Sequence, residues 1–294
     1  FRFFLFRFRD LILFINKLFP SFYRPTSFPY VSGDTFRKMA NFILEEKKSF
    51  KPNDVKTNDI IFVDGDFVET FFEKFHNRIT ENYILITHNS TKKINQEFEK
   101  LVDNKIIHWF AENLIIENNK KFSALPLGLE NKKYLKNGEI SSYKKKDQRM
   151  NIQKDKLILC SFSTQTYKEE RQRLYDIALE NKYIDINIYN SHKKYIEKMS
   201  EYKFNLCPSG AGLDTHRFWE SLMVNTIPIV KSNSLIKNFQ SHNLPMLVVK
   251  DWLELSSFDS KFYNSFYKEK ENNFKNAAYK NFDYWRELIL SKKI

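Results

Sequence analysis

From residue 30 onward, short apolar runs alternate with longer amphipathic stretches, the pattern of parallel βα units whose strands are buried on both faces. The first half predicts strands at 29–31, 60–63, 83–87, 106–110 and 124–126. Each ends in a polar or glycine-bearing loop: SGDT at 32–35, DGD at 64–66, HNS at 88–90, AEN at 111–113 and GLEN at 128–131. Residues 132–155 are lysine-rich and almost without apolar periodicity, so they read as a linker. A second alternation predicts strands at 157–162, 184–189, 203–207, 226–230 and 246–249, with helices over 168–181, 192–201, 214–224 and much of 263–291. The expected fold class is α/β: two doubly wound Rossmann-like domains, 29–131 and 156–294, facing a cleft and preceded by an apolar and basic segment at 1–28. Ligands of open parallel sheets bind beyond the carboxyl ends of the strands, so the polar loops of both halves are expected to meet at that cleft.

The second half carries the most specific local signal. Residues 202–230 hold two of the six glycines of the chain, Gly210 and Gly212, between an apolar strand and an amphipathic helix. A loop of small residues lets backbone approach a ligand closely, and a helix starting near 214 turns its positive end toward an anion. Arg217 and Glu220, three apart, share one helix face; a guanidinium there suits a diphosphate, and a carboxylate one turn on can accept from a ribose diol. Arg171 or Lys168, on the helix after SFSTQTY, would add positive charge. Ser161 and Ser163 follow the first strand of this half and are expected beside the phosphates, Ser209 and the two glycines likewise, while Thr164 reads as a helix cap. An ordinary turn followed by a surface ion pair also fits the same residues.

Cys207, Pro208, Gly210, Arg217, Phe218, Trp219, Glu220, Leu222, Ile227 and Pro228 stand in a pattern that resembles the donor-binding signature of exostosin-like glycosyltransferases. The close match covers roughly thirty residues, and a looser likeness through ILITHNS, IIHWFAEN and LPLGLEN extends to bacterial enzymes of cell-surface polysaccharide synthesis. Ser209 stands where that family carries a basic residue, and Asn225-Thr226 where it carries glycine. The resemblance implies a nucleotide-sugar donor and an inverting outcome; the two facing halves are expected to form the GT-B architecture, Arg217 and the helix start can supply positive charge without a metal cofactor, and the expected acceptor is a glycan or lipid-linked glycan.

Such a reaction needs a base for the acceptor hydroxyl and positive charge for the departing nucleoside diphosphate. The first-half loops offer Asp34, Asp66, His88, Glu112 and Glu130; Asp34 and His88 rank ahead of Asp66, although Asp34 is equally suited to capping the helix TFRKMANFILEE. His108, Trp109, Asn113 and Glu130 are expected to bind acceptor, Trp109 by stacking on a sugar face, and the alternation of IIHWF also fits Trp109 as core. Two rival readings stay open. The run into Asp64 and Asp66 is an Asp-x-Asp pair, which in a GT-A enzyme would hold Mg or Mn against a donor diphosphate.

The other rival follows from composition. A net charge of +12 and the aromatic, arginine-bearing stretch at 1–19 suit a non-catalytic protein bound to a membrane or polyanion. With lysines scattered and no recognisable nucleic-acid module, an anionic membrane surface is the better partner than nucleic acid. No uninterrupted apolar run at 1–19 reaches the length of a membrane span, and the stretch equally suits a first helix packed on the core. Cys160 and Cys207, the only cysteines, both end apolar runs, so free thiols in a reducing cytoplasm are expected, with the protein peripheral at the inner membrane face.

Overall fold

The computed structural model describes residues 10–16, 18, 23–144, 153–275 and 277–294. Much of the apolar and basic segment, and 145–152 of the expected linker, lie outside the described residues.

Two parallel five-stranded sheets form the molecule. The first contains β1 (Phe42–Leu44), β2 (Asp59–Asp64), β3 (Tyr83–His88), β4 (Ile106–Ala111) and β5 (Phe122–Ala124), side by side in chain order. The second contains β6 (Lys156–Cys160), β7 (Ile184–Ile186), β8 (Tyr202–Leu206), β9 (Ile227–Lys231) and β10 (Leu247–Val249), in the order β10-β9-β8-β6-β7. Their near-continuous apolar runs follow from two-sided burial: all six residues of YILITH in β3 are buried. The longer helices are α1 (Gly33–Met39), α2 (Val68–Lys74), α3 (Lys168–Glu180), α4 (His192–Met199), α5 (His216–Met223), α6 (Ser234–Gln240), α7 (Ser260–Lys270) and α8 (Phe282–Leu290). This is the α/β arrangement of two Rossmann-like domains about a cleft, the GT-B architecture.

In the second sheet the chain runs from β6 outward to β7 and then crosses back to β8 on the other side. That reversal opens a crevice between the carboxyl ends of β6 and β8, where the loops 161–166 and 207–215 lie.

Three expectations about elements are corrected. The strand placed at 29–31 is two isolated bridges, Tyr30 to Asn281 and Ser32 to Gly128. The edge strand is instead Phe42–Leu44, paired with β2 from Phe42↔Ile61, because α1 stops at Met39 and the apolar FIL is free to join the sheet. The long carboxyl-terminal helix is broken by a tight turn at Glu271–Phe274.

Beyond that turn, α8 packs on both domains. Its Phe282 ring lies 5.5 Å from Phe36 of the first, and its Trp285 ring lies 6.1 Å from Trp219 of the second. The chain ends against Asn58, whose side-chain oxygen accepts from the Ile294 amide at 2.8 Å. Among the described residues no helix is long and apolar enough to cross a membrane.

Candidate functional site

A cleft of about 750 Å³ opens between the carboxyl ends of the two sheets. Its two walls differ in kind. The second domain supplies both arginines that border it, Arg171 and Arg217. Their guanidinium carbons each lie 5.8 Å from the Phe162 ring centre, so one aromatic face organises both cations.

Arg171 reaches the carbonyl oxygens of Ser209 (2.7 Å) and Ser163 (2.9 Å), tying α3 to the glycine loop. Burial and the neighbouring Arg217 push its pKa down to about 10, still far above neutrality. Arg217 donates through Nε to the carbonyl of Ser161 at 3.1 Å. Between them, Gly210 comes so close that a Cβ there would stand 3.0 Å from the Arg171 guanidinium. Thr215 occupies the cap position of α5 without a side-chain hydrogen bond, so the amides of the first turn are not claimed by a cap. Two cations, a close-approach backbone and a helix start therefore converge on one spot, an arrangement chemically suited to an anion.

Glu220, one turn into α5, is 5% exposed and accepts from His192 Nε2 at 2.7 Å. Burial acts to raise its pKa, and the His192 hydrogen bond and charge outweigh that, leaving it below the ordinary carboxylate value. Tyr143, from the segment joining the domains, lies 3.4 Å from the same His192 nitrogen. His216 spans the cleft from the start of α5, its Nδ1 2.8 Å from the carbonyl of Gly128.

The opposite wall comes from the loops after β2, β3, β4 and β5. Asp66, Asn89, Ser90, Thr91, Glu112, Asn131, Tyr134 and Asn137 border the cleft there, and no lysine or arginine of the first domain does. Asp66 is exposed and accepts from the Ser90 hydroxyl. The Asn89 carboxamide accepts from Asn131 at 2.8 Å, while its own buried amide nitrogen has no protein partner.

Of the residues expected to bind donor, Ser161, Ser163, Gly210, Gly212, Arg217 and Glu220 all border the cleft, as does Arg171; Lys168 does not. Ser209 does not border it either: its carbonyl is held by Arg171. Ser163, not Thr164, caps the following turn, accepting from the Gln165 amide at 3.3 Å.

The acceptor-side expectations are redistributed, because most of these groups are used up within the first domain. Asp34 is buried in an ion-pair network, bonded to Arg24 at 2.7 Å, with Glu45 joining Arg24 and Arg37. His88 is 1% exposed, its Nδ1 2.9 Å from Glu112 and its Nε2 3.0 Å from the carbonyl of Pro126. Neither borders the cleft; Asp66 is the one of the three nominated bases that does.

Trp109 is fully buried against Phe72 and Phe122, its indole donating to Thr87 at 2.9 Å, so it is core. His108 turns to Ser123 at 2.9 Å, and burial helped by Lys292 lowers its pKa to about 4. Glu130 is spent on Asn137, accepting from its amide at 2.8 Å. Asn113 lies behind the cleft and accepts from the amides of Leu213 (2.9 Å) and Asp214 (3.1 Å), pinning the glycine loop to the first domain.

Asp64 accepts from the Asp66 amide at 3.2 Å and is pushed up to about 6 by burial; it does not border the cleft. Among the described residues no cluster of three or more His, Cys, Asp or Glu is placed to hold a metal ion. Both cysteines are buried and free, their thiols pushed up to about 12 by burial.

Sequence reasoning did not nominate His192, Tyr143 or His216. His192 and His216 border the cleft and Tyr143 stands behind His192; each comes from a segment whose local pattern is an ordinary amphipathic helix or loop, so only the tertiary packing brings it in.

No protein-family model matches the chain, and no curated protein matches it in sequence. Among solved structures, the chain is similar to one described as trehalose-6-phosphate from E. coli bound with UDP-2-fluoro glucose, at 10% identity over 82% of this chain and 74% of that one, with a TM-score of 0.49. An alpha,alpha-trehalose-phosphate synthase (UDP-forming) from Burkholderia vietnamiensis matches at 8% identity over 81% and 71% of the two chains, with a TM-score of 0.47. An alpha1,3-fucosyltransferase matches at 15% identity over 75% and 70%, with a TM-score of 0.42.

Proposed function

We propose that this chain is an exostosin-like, metal-independent, inverting glycosyltransferase that moves a sugar from a nucleotide donor to a glycan or lipid-linked glycan at the cytoplasmic face of a membrane. The observation that carries the reading is the pair Arg171 and Arg217, both against the Phe162 ring, beside Gly210 and the start of α5. It supports a diphosphate at that place, with Glu220 one turn along α5 for the ribose diol.

The acceptor would then enter from the first-domain wall. In this reading Asp66, which borders the cleft on that wall, takes the proton of the attacking hydroxyl. The acceptor oxygen bonds to the anomeric carbon as the bond from that carbon to the phosphate oxygen breaks. The electron pair leaves with the nucleoside diphosphate, where the two guanidiniums offset the growing charge.

A thermal-shift screen of nucleoside diphosphates and nucleotide sugars, with magnesium and with chelator, tests this. A ligand at a hundred times its Kd stabilises by about 2.7 kcal/mol, which raises Tm by several degrees. The shift is expected for the parent chain in both conditions and is lost in Arg217→Ala and Arg171→Ala. In Asp66→Asn it persists while turnover falls by about 10²- to 10⁴-fold. A shift that appears only with magnesium points to the Asp64/Asp66 metal reading. No shift, together with salt-sensitive binding to polyanions, points to the non-catalytic one.

A further inference from the structure

The charge on the two walls of the cleft is unequal. Arg171 and Arg217 both belong to the second domain, whereas the first-domain wall carries the carboxylates Asp66 and Glu112 among amides, hydroxyls and one exposed tyrosine, Tyr134. Of the lysines adjacent in sequence to this wall, Lys92 pairs with Glu69 and Lys133 lies over the Tyr134 ring at 5.0 Å, and neither these nor Lys132 and Lys136 border the cleft. A phosphate or carboxylate entering this half would meet the exposed Asp66 carboxylate and, among the described residues, no lysine or arginine bordering the cleft, while Glu112 is paired with His88.

What this wall does offer is hydroxyl chemistry. Asp66 is an exposed acceptor, and Ser90 and Thr91 bring hydroxyls to the same wall of the cleft. A sugar hydroxyl, which both donates and accepts, suits such groups. An aromatic ring at the rim, Tyr134, gives a face for the apolar side of a pyranose.

We propose that the acceptor half of the cleft takes a neutral sugar unit and rejects one bearing phosphate or carboxylate within it. The inference rests on the glycosyl-transfer reading above and specifies its acceptor class: a terminal unit free of charge, whatever anchors the far end of the glycan.

The test uses the chain with whichever nucleotide sugar the thermal screen identifies. Acceptor-dependent release of nucleoside diphosphate is measured for neutral mono- and disaccharides and for their matched 6-phosphates and uronic acids. In parallel, the same sugars are titrated into the diphosphate-loaded protein. Neutral acceptors are expected to exceed their charged counterparts at least tenfold in kcat/KM, with the gap narrowing as salt screens the wall. Thr91→Lys, which adds a cation at an exposed lining position, is expected to narrow it several-fold.

Equal or better use of the phosphorylated or acidic sugars overturns the proposal, and so does the absence of any response to neutral sugars in both assays. Those outcomes leave donor binding intact and so spare the glycosyltransferase reading. Absence of diphosphate binding removes that reading and this one together.

Discussion

At the scale of single residues, the decisive fact is which polar groups are already satisfied. His88 has the chemistry of a proton carrier, yet burial alone would push its pKa down, and the adjoining Glu112 carboxylate outweighs burial and leaves it raised. A raised folded pKa means that the pair stabilises fully below the unfolded value near 6.5 and that this contribution is lost as pH rises through the folded value. Denaturation midpoints measured from pH 6 upward should therefore fall more steeply for the parent than for Glu112→Gln, whose neutral side chain cannot hold the imidazolium. Parallel curves for the two would show that the pair carries no such charge. Asp34 illustrates the same selection: its carboxylate answers Arg24, so a residue next to a strand-end glycine serves the domain's interior instead of the cleft.

At the scale of elements, the second domain is closed by one lysine where the expected linker ends. Lys154 Nζ sits among the carbonyls of Ser200 (2.7 Å), Tyr202 (2.9 Å) and Val224 (3.2 Å) and the Thr226 hydroxyl (2.9 Å), joining the ends of α4, β8 and α5. Burial, with Lys280 nearby, lowers its pKa to about 7. With the folded pKa below the unfolded one of about 10.5, its contribution is complete above 10.5 and is lost as pH falls toward 7. Lys154→Met should cost about 1–3 kcal/mol by leaving buried carbonyls unpaired, and should flatten the stability gained by the parent between pH 7 and 10. Chemical denaturation across that range reads both effects. The linker was legible as a polar, aperiodic stretch; that its last residues plug the second sheet was not, because the four oxygens come from three separate elements.

At the scale of the whole molecule, the cleft is held at one edge by a few side chains that cross it. Asn113 accepts from Leu213 and Asp214, and Asp214 in turn accepts from the Leu127 amide at 2.8 Å and the Trp219 indole at 2.7 Å. Burial raises Asp214 to about 6 despite those donors. Gly212 lies close against Asn113, since a Cβ there would stand 3.0 Å from its carboxamide and press on the pin. Asn113→Ala should lower stability by about 2 kcal/mol or more and weaken nucleoside diphosphate binding by loosening the glycine loop. Asn113→Gly suits the φ of 51° at this position, so comparing the two in denaturation and in titration separates the backbone effect from the lost hydrogen bonds. Unchanged diphosphate affinity in both would show that the pin has no part in diphosphate binding.

Much of this molecule is written locally, and the sequence by itself determined it. Apolar runs buried on both faces announce parallel strands, and the spacing of Gly210, Gly212, Arg217 and Glu220 announces a loop and helix face suited to an anion. Those signals depend on neighbours within a turn or two, which the chain order supplies. The strand at 42–44 was lost because three apolar residues after a helix look the same whether they extend it or join a sheet edge. The first-domain candidates were harder still. Asp34, His88, Trp109 and Asn113 have the right chemistry in isolation, and whether each faces solvent, core or the other domain depends on partners far along the chain. Only the tertiary structure decided that, by placing Arg24 beside Asp34, Glu112 beside His88, and His192 and His216 at the cleft, since burial and pairing are properties of the packed domains and not of any single segment.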